Sequence, residues 1–262
     1  MYKHIDHIAL AVQDIEGAAD FYRDVFQLDL IMGLSYPPDG VHTNLVFSLG
    51  PRNEIEFLGP LGENGFLVEF LRKHGEGFHH LALEVTDLER ATSQLAQNGV
   101  RIFGGTRHKS MSFTFMHPAS TLRVGMQLVQ RKPQKPSRNP LIRGIHHVGI
   151  RTRSPAKGRD FLIRRLGAEM ISDGQDRALD CVGERYRLGE AQFHLLYDFA
   201  GPAPGSRAEG LHYVAVKVDD LAQTIEHLKQ FAIDPLEGWS DEKSVFLPAD
   251  KMFGCLWRLI QV

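Results

Sequence analysis

The chain has 262 residues, a net charge of −2 and a pI near 6.7, with 43% hydrophobic and 24% charged residues. That length suits one large or two ordinary domains. The charge offers no electrostatic footprint for nucleic acid, no apolar run approaches the ~20 residues that span a bilayer, and the two cysteines, Cys181 and Cys255, make neither a disulfide framework nor a cysteine metal site.

The N-terminus enters an alternating segment at once and has no signal-peptide pattern, so a cytoplasmic location is expected. That segment, Ile5-Asp6-His7-Ile8-Ala9-Leu10-Ala11-Val12, reads as a strand of period two. The pattern returns as Phe78-His79-His80-Leu81-Ala82-Leu83-Glu84-Val85, as Ile145-His146-His147-Val148-Gly149-Ile150 and as Leu211-His212-Tyr213-Val214-Ala215-Val216-Lys217-Val218. His7, His80, His147 and Tyr213 share one register, and two residues on each is followed by Ala or Gly, which leaves room on that face. The opposite face is Ile, Leu and Val, as packing against a helix demands.

A helical pattern follows each opening strand, over residues 14–27, 87–98, 155–166 and 219–231. Asp14, Asp87, Ser154 and Asp219 are the expected N-caps, and Pro155 suits a first helical turn. About three short strands follow each helix. The chain is therefore an internal repeat of a βαβββ module, with modules beginning near residues 3, 76, 143 and 209. Residues 131–142 hold three prolines and four basic residues and read as a solvated linker between residues 1–130 and 143–262. The expected helices lie on the convex sides of curved sheets.

Four strands of the first half each offer one inward polar residue: His7, Glu56, His80 and Gln127. Two imidazoles, a carboxylate and an amide oxygen suit a borderline divalent ion such as Zn, Ni, Co, Mn or Fe(II), with two of six positions left open for substrate. A single buried strand histidine is more often a hydrogen-bonded core residue, so two readings stand at this point. Four polar groups on one apolar face are costly unless paired or metal-bound, which favours the centre.

Three stretches carry a resemblance. They are Ile5–Ala9 with the helix holding Phe21-Tyr22, then Gly77–Val85, then Phe115-Met116-His117-Pro118 leading into Gly125-Met126-Gln127-Leu128. On these the first half is similar to the vicinal oxygen chelate superfamily of glyoxalase, bleomycin resistance and extradiol dioxygenase proteins, and most to methylmalonyl-CoA epimerase and glyoxalase I. The resemblance covers residues 3–130 well and 143–262 more weakly. It implies an α+β fold of four βαβββ modules paired into two domains, each with a curved mixed sheet around a divalent metal. It places the four ligand positions on His7, Glu56, His80 and Gln127.

Two departures matter. The family's last ligand is usually Glu where this chain has Gln127, and the epimerase pattern has a proton-transferring Glu near Thr43. An amide cannot accept a proton at neutral pH, so the two-carboxylate route to epimerisation is disfavoured. In the second half the equivalent positions are His147, His194, Tyr213 and Arg258, and Leu247-Pro248 stands where the first half has His117-Pro118. An always-cationic Arg cannot bind a metal, so this half reads as a decayed duplicate, or else as an anion site of Arg258, Tyr213 and His147.

The resemblance implies a metal-dependent lyase or isomerase acting on a small oxygenated substrate through a metal-stabilised enediolate. The alternatives are an Fe(II) ring-cleaving dioxygenase and a non-catalytic small-molecule-binding protein of the resistance type. No catalytic base is assigned: Glu54, His42 and His79 are near in sequence, and period two turns His79 to the far side of its strand. The expected partners are a small-molecule substrate, with neither nucleic acid nor membrane, and a homodimer is left open.

Overall fold

Alternation of apolar and polar residues makes the strands, and the strands form two sheets of one layout. The computed structural model describes residues 1–37, 39–107, 111–132, 137, 139–199 and 209–262. The first sheet holds β1 (Tyr2–Ala11), β2 (Asp29–Ser35), β3 (His42–Ser48), β4 (Glu54–Pro60), β5 (Gly77–Val85), β6 (Ile102–Arg107), β7 (Met111–Met116) and β8 (Gly125–Arg131). Their order is β2-β3-β4-β1-β5-β8-β7-β6. The second holds β9 (Ile145–Arg151), β10 (Glu169–Asp176), β11 (Cys181–Leu188), β12 (Ala191–Tyr197), β13 (Gly210–Val218), β14 (Ser240–Asp241), β15 (Ser244–Leu247) and β16 (Leu256–Gln261). Their order, β10-β11-β12-β9-β13-β16-β15-β14, repeats the first. In each sheet two modules join along their opening strands, β1 antiparallel to β5 and β9 to β13, while β1–β4 and β5–β8 are parallel. The fold is the expected α+β arrangement of four βαβββ modules in two mixed sheets.

The helices begin where the sequence has capping side chains. α1 (Ile15–Phe26) follows Asp14, whose carboxylate accepts from the Gly17 amide at 3.0 Å, and α3 (Leu88–Gln97) follows Asp87, which accepts from Arg90 at 2.9 Å. α4 (Pro155–Arg159) is capped by Ser154 and runs directly into a π-helical turn, Asp160–Arg165. α5 (Leu221–Lys229) departs from expectation: its cap is Asp220, while Asp219 accepts from Arg143 Nε at 2.7 Å and is used in that ion pair. The structure also adds α2 (Phe66–His74), which the repeat does not contain. Its Leu67 and Leu71 pack on Ala9, Ala11 and Leu58, so this helix covers part of the inner face of the first sheet.

One core runs through both halves. Ile8, Leu10 and Val12 point into it while Ala9 and Ala11 point the other way, as period two requires. Tyr22 of α1 touches Phe57 of its own sheet and Trp257 of β16, at ring distances of 5.3 and 5.9 Å, so α1 lies between the two sheets. The inner face of the second sheet is filled instead: Ala178 and Leu179 from the β10–β11 turn pack on Cys181, Leu196, Tyr213 and Phe246.

The Pro-rich segment is only partly solvated. Residues 133–136 and 138 lie outside the described residues. Arg131 is the last residue of β8, and Asn139 is buried, donating to the Phe26 carbonyl at 3.0 Å and accepting from Leu141 and Ile142. The amide side chain satisfies the end of α1 and the start of the next chain segment together, which is why this stretch packs.

Candidate metal centre

Strand register sets the side chains in two rows on the inner face. One row reads Gln127, Ala82, His7 across β8, β5 and β1; the other reads Gly125, His80, Ala9, Glu56 across β8, β5, β1 and β4. The alanines between the polar residues keep the space open. The nitrogen His7 Nε2 lies 3.2 Å from His80 Nε2, and Glu56 Oε2 lies 3.6 Å from the first and 3.7 Å from the second. The structure thus brings His7, Glu56 and His80 together, and among the described residues they form a group that could hold an ion. Gln127 Oε1 is buried with no hydrogen-bond partner.

The opening strands are not regular, and this corrects the expectation for His79. β1 pairs Ala9 with His80 and the next residue, Leu10, with Phe78, so His79 is the extra residue of a β-bulge. A second bulge in the same pair lies at Asp6, between Ile5↔Leu83 and His7↔Ala82. A bulge breaks period two and puts consecutive side chains near each other. Accordingly His79 Nδ1 sits 2.9 Å from His80 Nδ1, and Asp6 Oδ2 accepts from His7 Nδ1 at 2.7 Å.

Asp6 in turn is clamped. Arg131 donates to Asp6 Oδ2 from Nε at 3.0 Å and from Nη2 at 2.7 Å, and to Glu54 Oε2 from Nη2 at 2.7 Å. A carboxylate only accepts, so Asp6 fixes the proton of His7 on Nδ1 and turns the Nε2 lone pair to the interior. Asn44 Nδ2 donates to Glu56 Oε1 at 3.0 Å, leaving Oε2 for the centre, and Ser35 orients Asn44 through a 2.6 Å bond. Asp6, Arg131 and Asn44 are supporting residues that the sequence reading missed. Asp6 stood beside His7 in plain view, but period two assigns it to the other face. Nothing local marks Arg131.

Burial, then the neighbouring imidazoles of His79, His7 and His42, hold the His80 pKa well below its usual range. Burial lowers His7 too, but its hydrogen bond to Asp6 and the charges of Asp6 and Glu56 outweigh it and raise the pKa. The neutral imidazole of His80 and the Glu56 carboxylate offer lone pairs toward the point where His7 Nε2 also lies, and such a set is suited to a cation. Donor atoms bound at about 2.1 Å stand about 3.0–3.5 Å apart, close to the separations seen, so the donor set fits a divalent ion.

The other candidate bases are otherwise engaged. Glu54 belongs to the Arg131 clamp, and the hydroxyl of Thr43 donates to the Gly59 carbonyl at 3.3 Å. His42 lies 3.0 Å from Asp39 Oδ2 and meets Phe66 edge-on. His79 packs on Phe66 and Phe70 and lines a cavity of about 1090 Å3 together with His80.

The equivalent rows of the second sheet read Arg258, Ala215, His147 and Leu256, Tyr213, Gly149, His194. Here the hydroxyl of Tyr213 occupies the centre, 2.7 Å from His147 Nε2 and 2.8 Å from His194 Nδ1. Arg258 is bound by Ser244 at 3.0 Å and Asp241 at 2.8 Å. Among the described residues, His147, His194 and Tyr213 thus satisfy one another where the first half has its acceptor cluster.

The same duplication is found by comparison. The sequence model described as Glyoxalase/Bleomycin resistance protein/Dioxygenase superfamily matches residues 6–115, and a second of the same description matches residues 144–244. An ethylmalonyl-CoA/methylmalonyl-CoA epimerase of Cereibacter sphaeroides is 33% identical over 123 residues, 45% of this chain and 90% of its own length. The mitochondrial methylmalonyl-CoA epimerase of Mus musculus is 31% identical over 132 residues, 48% of this chain and 72% of its own. Each of these relatives therefore spans less than half of the chain. A mutant 4-hydroxymandelate synthase from Streptomyces coelicolor superposes over 99% of this chain and 92% of its own with a TM-score of 0.79 at 14% identity, which is a likeness of fold.

Proposed function

We infer the function from one premise: the chain belongs to the Glyoxalase/Bleomycin resistance protein/Dioxygenase superfamily. On that premise we read residues 1–130 as the working domain, 143–262 as a structural partner and the segment between as their connection. His7, Glu56, His80 and Gln127 are its metal ligands, and the protein is a divalent-metal-dependent lyase or isomerase that draws an enediolate-type anion from a small oxygenated substrate. The observation that carries this is the convergence of three ligand atoms at 3.2–3.7 Å, on a sheet face where the row of His7 also carries the buried, unpartnered Gln127 oxygen.

A divalent ion held there supplies Lewis-acid stabilisation for charge developing on a substrate oxygen. The chain's own residues do the rest. Asp6 and Arg131 fix the tautomer of His7, and Asn44 aims Glu56. Phe103 and Phe115 give the adjoining cavity an aromatic surface. Gln127 and Thr43 cannot carry a proton from carbon, so the chemistry differs from a two-carboxylate epimerisation. His79, on the cavity wall and against His80, is the side chain to test as proton carrier.

The experiment is metal content and divalent-ion thermal stabilisation of protein purified without chelator, as wild type, His80→Ala and His147→Ala. Loss of metal and of ion-dependent stabilisation with His80→Ala alone is expected. Equal loss in both, or loss only with His147→Ala, refutes the assignment of the working half. Iron with oxygen uptake on catechols would favour the dioxygenase alternative instead.

A further inference from the structure

The cavity beside the centre is walled by both domains and mixes aromatic with cationic side chains. Its aromatic lining is Phe66, Phe70, Phe103 and Phe115, and His79 and His80 also face it. Its cationic lining is Lys73 of α2, Arg123 between β7 and β8, and, from the second domain, Arg153 just before α4, Lys157 of α4 and Arg165 of the π-helical turn. We propose that this cationic part of the lining is an anion subsite in which Lys73, Arg153 and Lys157 receive a phosphoryl group carried on an apolar substrate body that shares the cavity with the histidines. The proposal deepens the reading of the first domain as the working half and rests on it for the reactive end, though not for the anion.

Charge accounting selects these three residues. The lining has two carboxylates, and both are used: Asp160 accepts from Arg165 at 2.8 Å, and Glu209 lies 3.3 Å from Arg123. Lys73, Arg153 and Lys157 pair with no carboxylate of the described residues. The whole chain carries a net charge of −2, so a local excess of cations is not a consequence of composition. Cations lining a cleft with apolar walls concentrate a field that water does not fully screen. Two ammonium groups and one guanidinium fork suit a dianion with several acceptor oxygens better than a single carboxylate.

The cationic wall is also rigidly mounted. Gly158 lies so close to β12 that a Cβ there would sit 2.5 Å from Leu195, which seats α4 flat on the second sheet. Arg159 is held by Glu184, itself gripped by Tyr186 at 2.5 Å and Tyr197 at 2.6 Å. The π-helical turn then brings Asp160, Phe161 and Arg165 onto the same cavity wall. The half without the acceptor cluster thus gains a role, presenting Arg153 and Lys157 to the cleft of the other.

The test is isothermal calorimetry on the full chain with 1-naphthyl phosphate, 1-naphthol and inorganic phosphate. Wild type, Lys73→Gln, Lys157→Gln and His80→Ala are compared, with thermal midpoints to verify folding. The phosphate ester is expected to bind about tenfold tighter than either the alcohol or inorganic phosphate. Each Lys→Gln change is expected to cost about fivefold for the ester alone. Equal affinity for ester and alcohol, or unchanged ester affinity in both lysine variants, overturns the proposal. Loss of ester binding with His80→Ala but not with Lys157→Gln also overturns it, since the anion would then sit on the centre, while the metal reading would stand.

Discussion

Arg131 shows how much a single side chain can carry. It neutralises Asp6 and Glu54, two buried carboxylates drawn from β1 and β4, and through Asp6 it sets the lone pair of His7. Arg131→Met would remove the guanidinium shared by the two buried carboxylates, which costs about 3–5 kcal/mol. Urea unfolding at neutral pH measures this, and a cost below about 1 kcal/mol would show the clamp to be dispensable. The same variant should weaken divalent-ion binding by about 10–100-fold, because the support of a ligand is lost and not the ligand. In the second half the telling residue is Gly149, where a Cβ would meet Tyr213 Cε1 at 2.2 Å. Its counterpart in the first sheet is Ala9, beside the smaller His80. Gly149→Ala is therefore expected to cost about 1–3 kcal/mol through overpacking, and much less in a Tyr213→His background. A double-mutant cycle with no coupling would refute this packing account.

Among the elements, α4 depends most visibly on a buried charge. The side chain of Glu184 is 3% exposed and accepts from Arg159, Tyr186 and Tyr197. Burial raises its pKa, but those three hydrogen bonds and the charge of Arg159 outweigh burial and hold it below the usual carboxylate range. A lowered folded pKa means that the stabilisation is complete above the unfolded value and disappears as pH falls through the folded one. Glu184→Gln should then cost about 2 kcal/mol at pH 7 and progressively less through the acid range below the ordinary carboxylate pKa. Denaturant midpoints of wild type and variant across that range check it, and a difference independent of pH would rule out the ionised carboxylate as the source. α2 works differently: with Leu67 and Leu71 on the inner face, it gives the first domain a covered cavity where the second domain has an apolar filling.

At the scale of the whole molecule the two halves share their interior. Trp257 of β16 is fully buried against Tyr22 and Phe26 of α1 and Phe78 of β5, and its indole N–H donates to the Tyr22 hydroxyl at 2.9 Å. That hydroxyl donates onward to the Met252 carbonyl at 2.9 Å, tying α1 of one half to the other half. Trp257→Ala should cost about 3–5 kcal/mol and lower a single calorimetric transition as a unit. Two separate transitions, with only one shifted, would show that the halves fold independently. Such an interface lets α4 of one half serve as a fixed wall for the cleft of the other.

Much of this was legible in the amino-acid sequence alone. Four repeated strands, three of the four expected helix caps and the inward candidates His7, Glu56, His80 and Gln127 follow from period two and from repetition, because a side chain's face is a local property while pairing stays regular; whether those candidates form a centre does not follow from it. Bulges are a property of two strands together, so the sequence hid the placement of Asp6 and His79, which only the pairing of β1 with β5 decides. The Arg131 clamp, with Arg131 and Asp6 separated by 125 positions, and the shared wall of Lys157 and His80 likewise exist only after folding. Whether an inner face becomes a cavity or a core is decided by what folds over it: α2 in the first half, and Ala178 and Leu179 in the second. Repetition specifies two similar sheets; the long-range packing that makes them unlike belongs to the tertiary structure, since local pattern carries no information about which distant side chains will share a space.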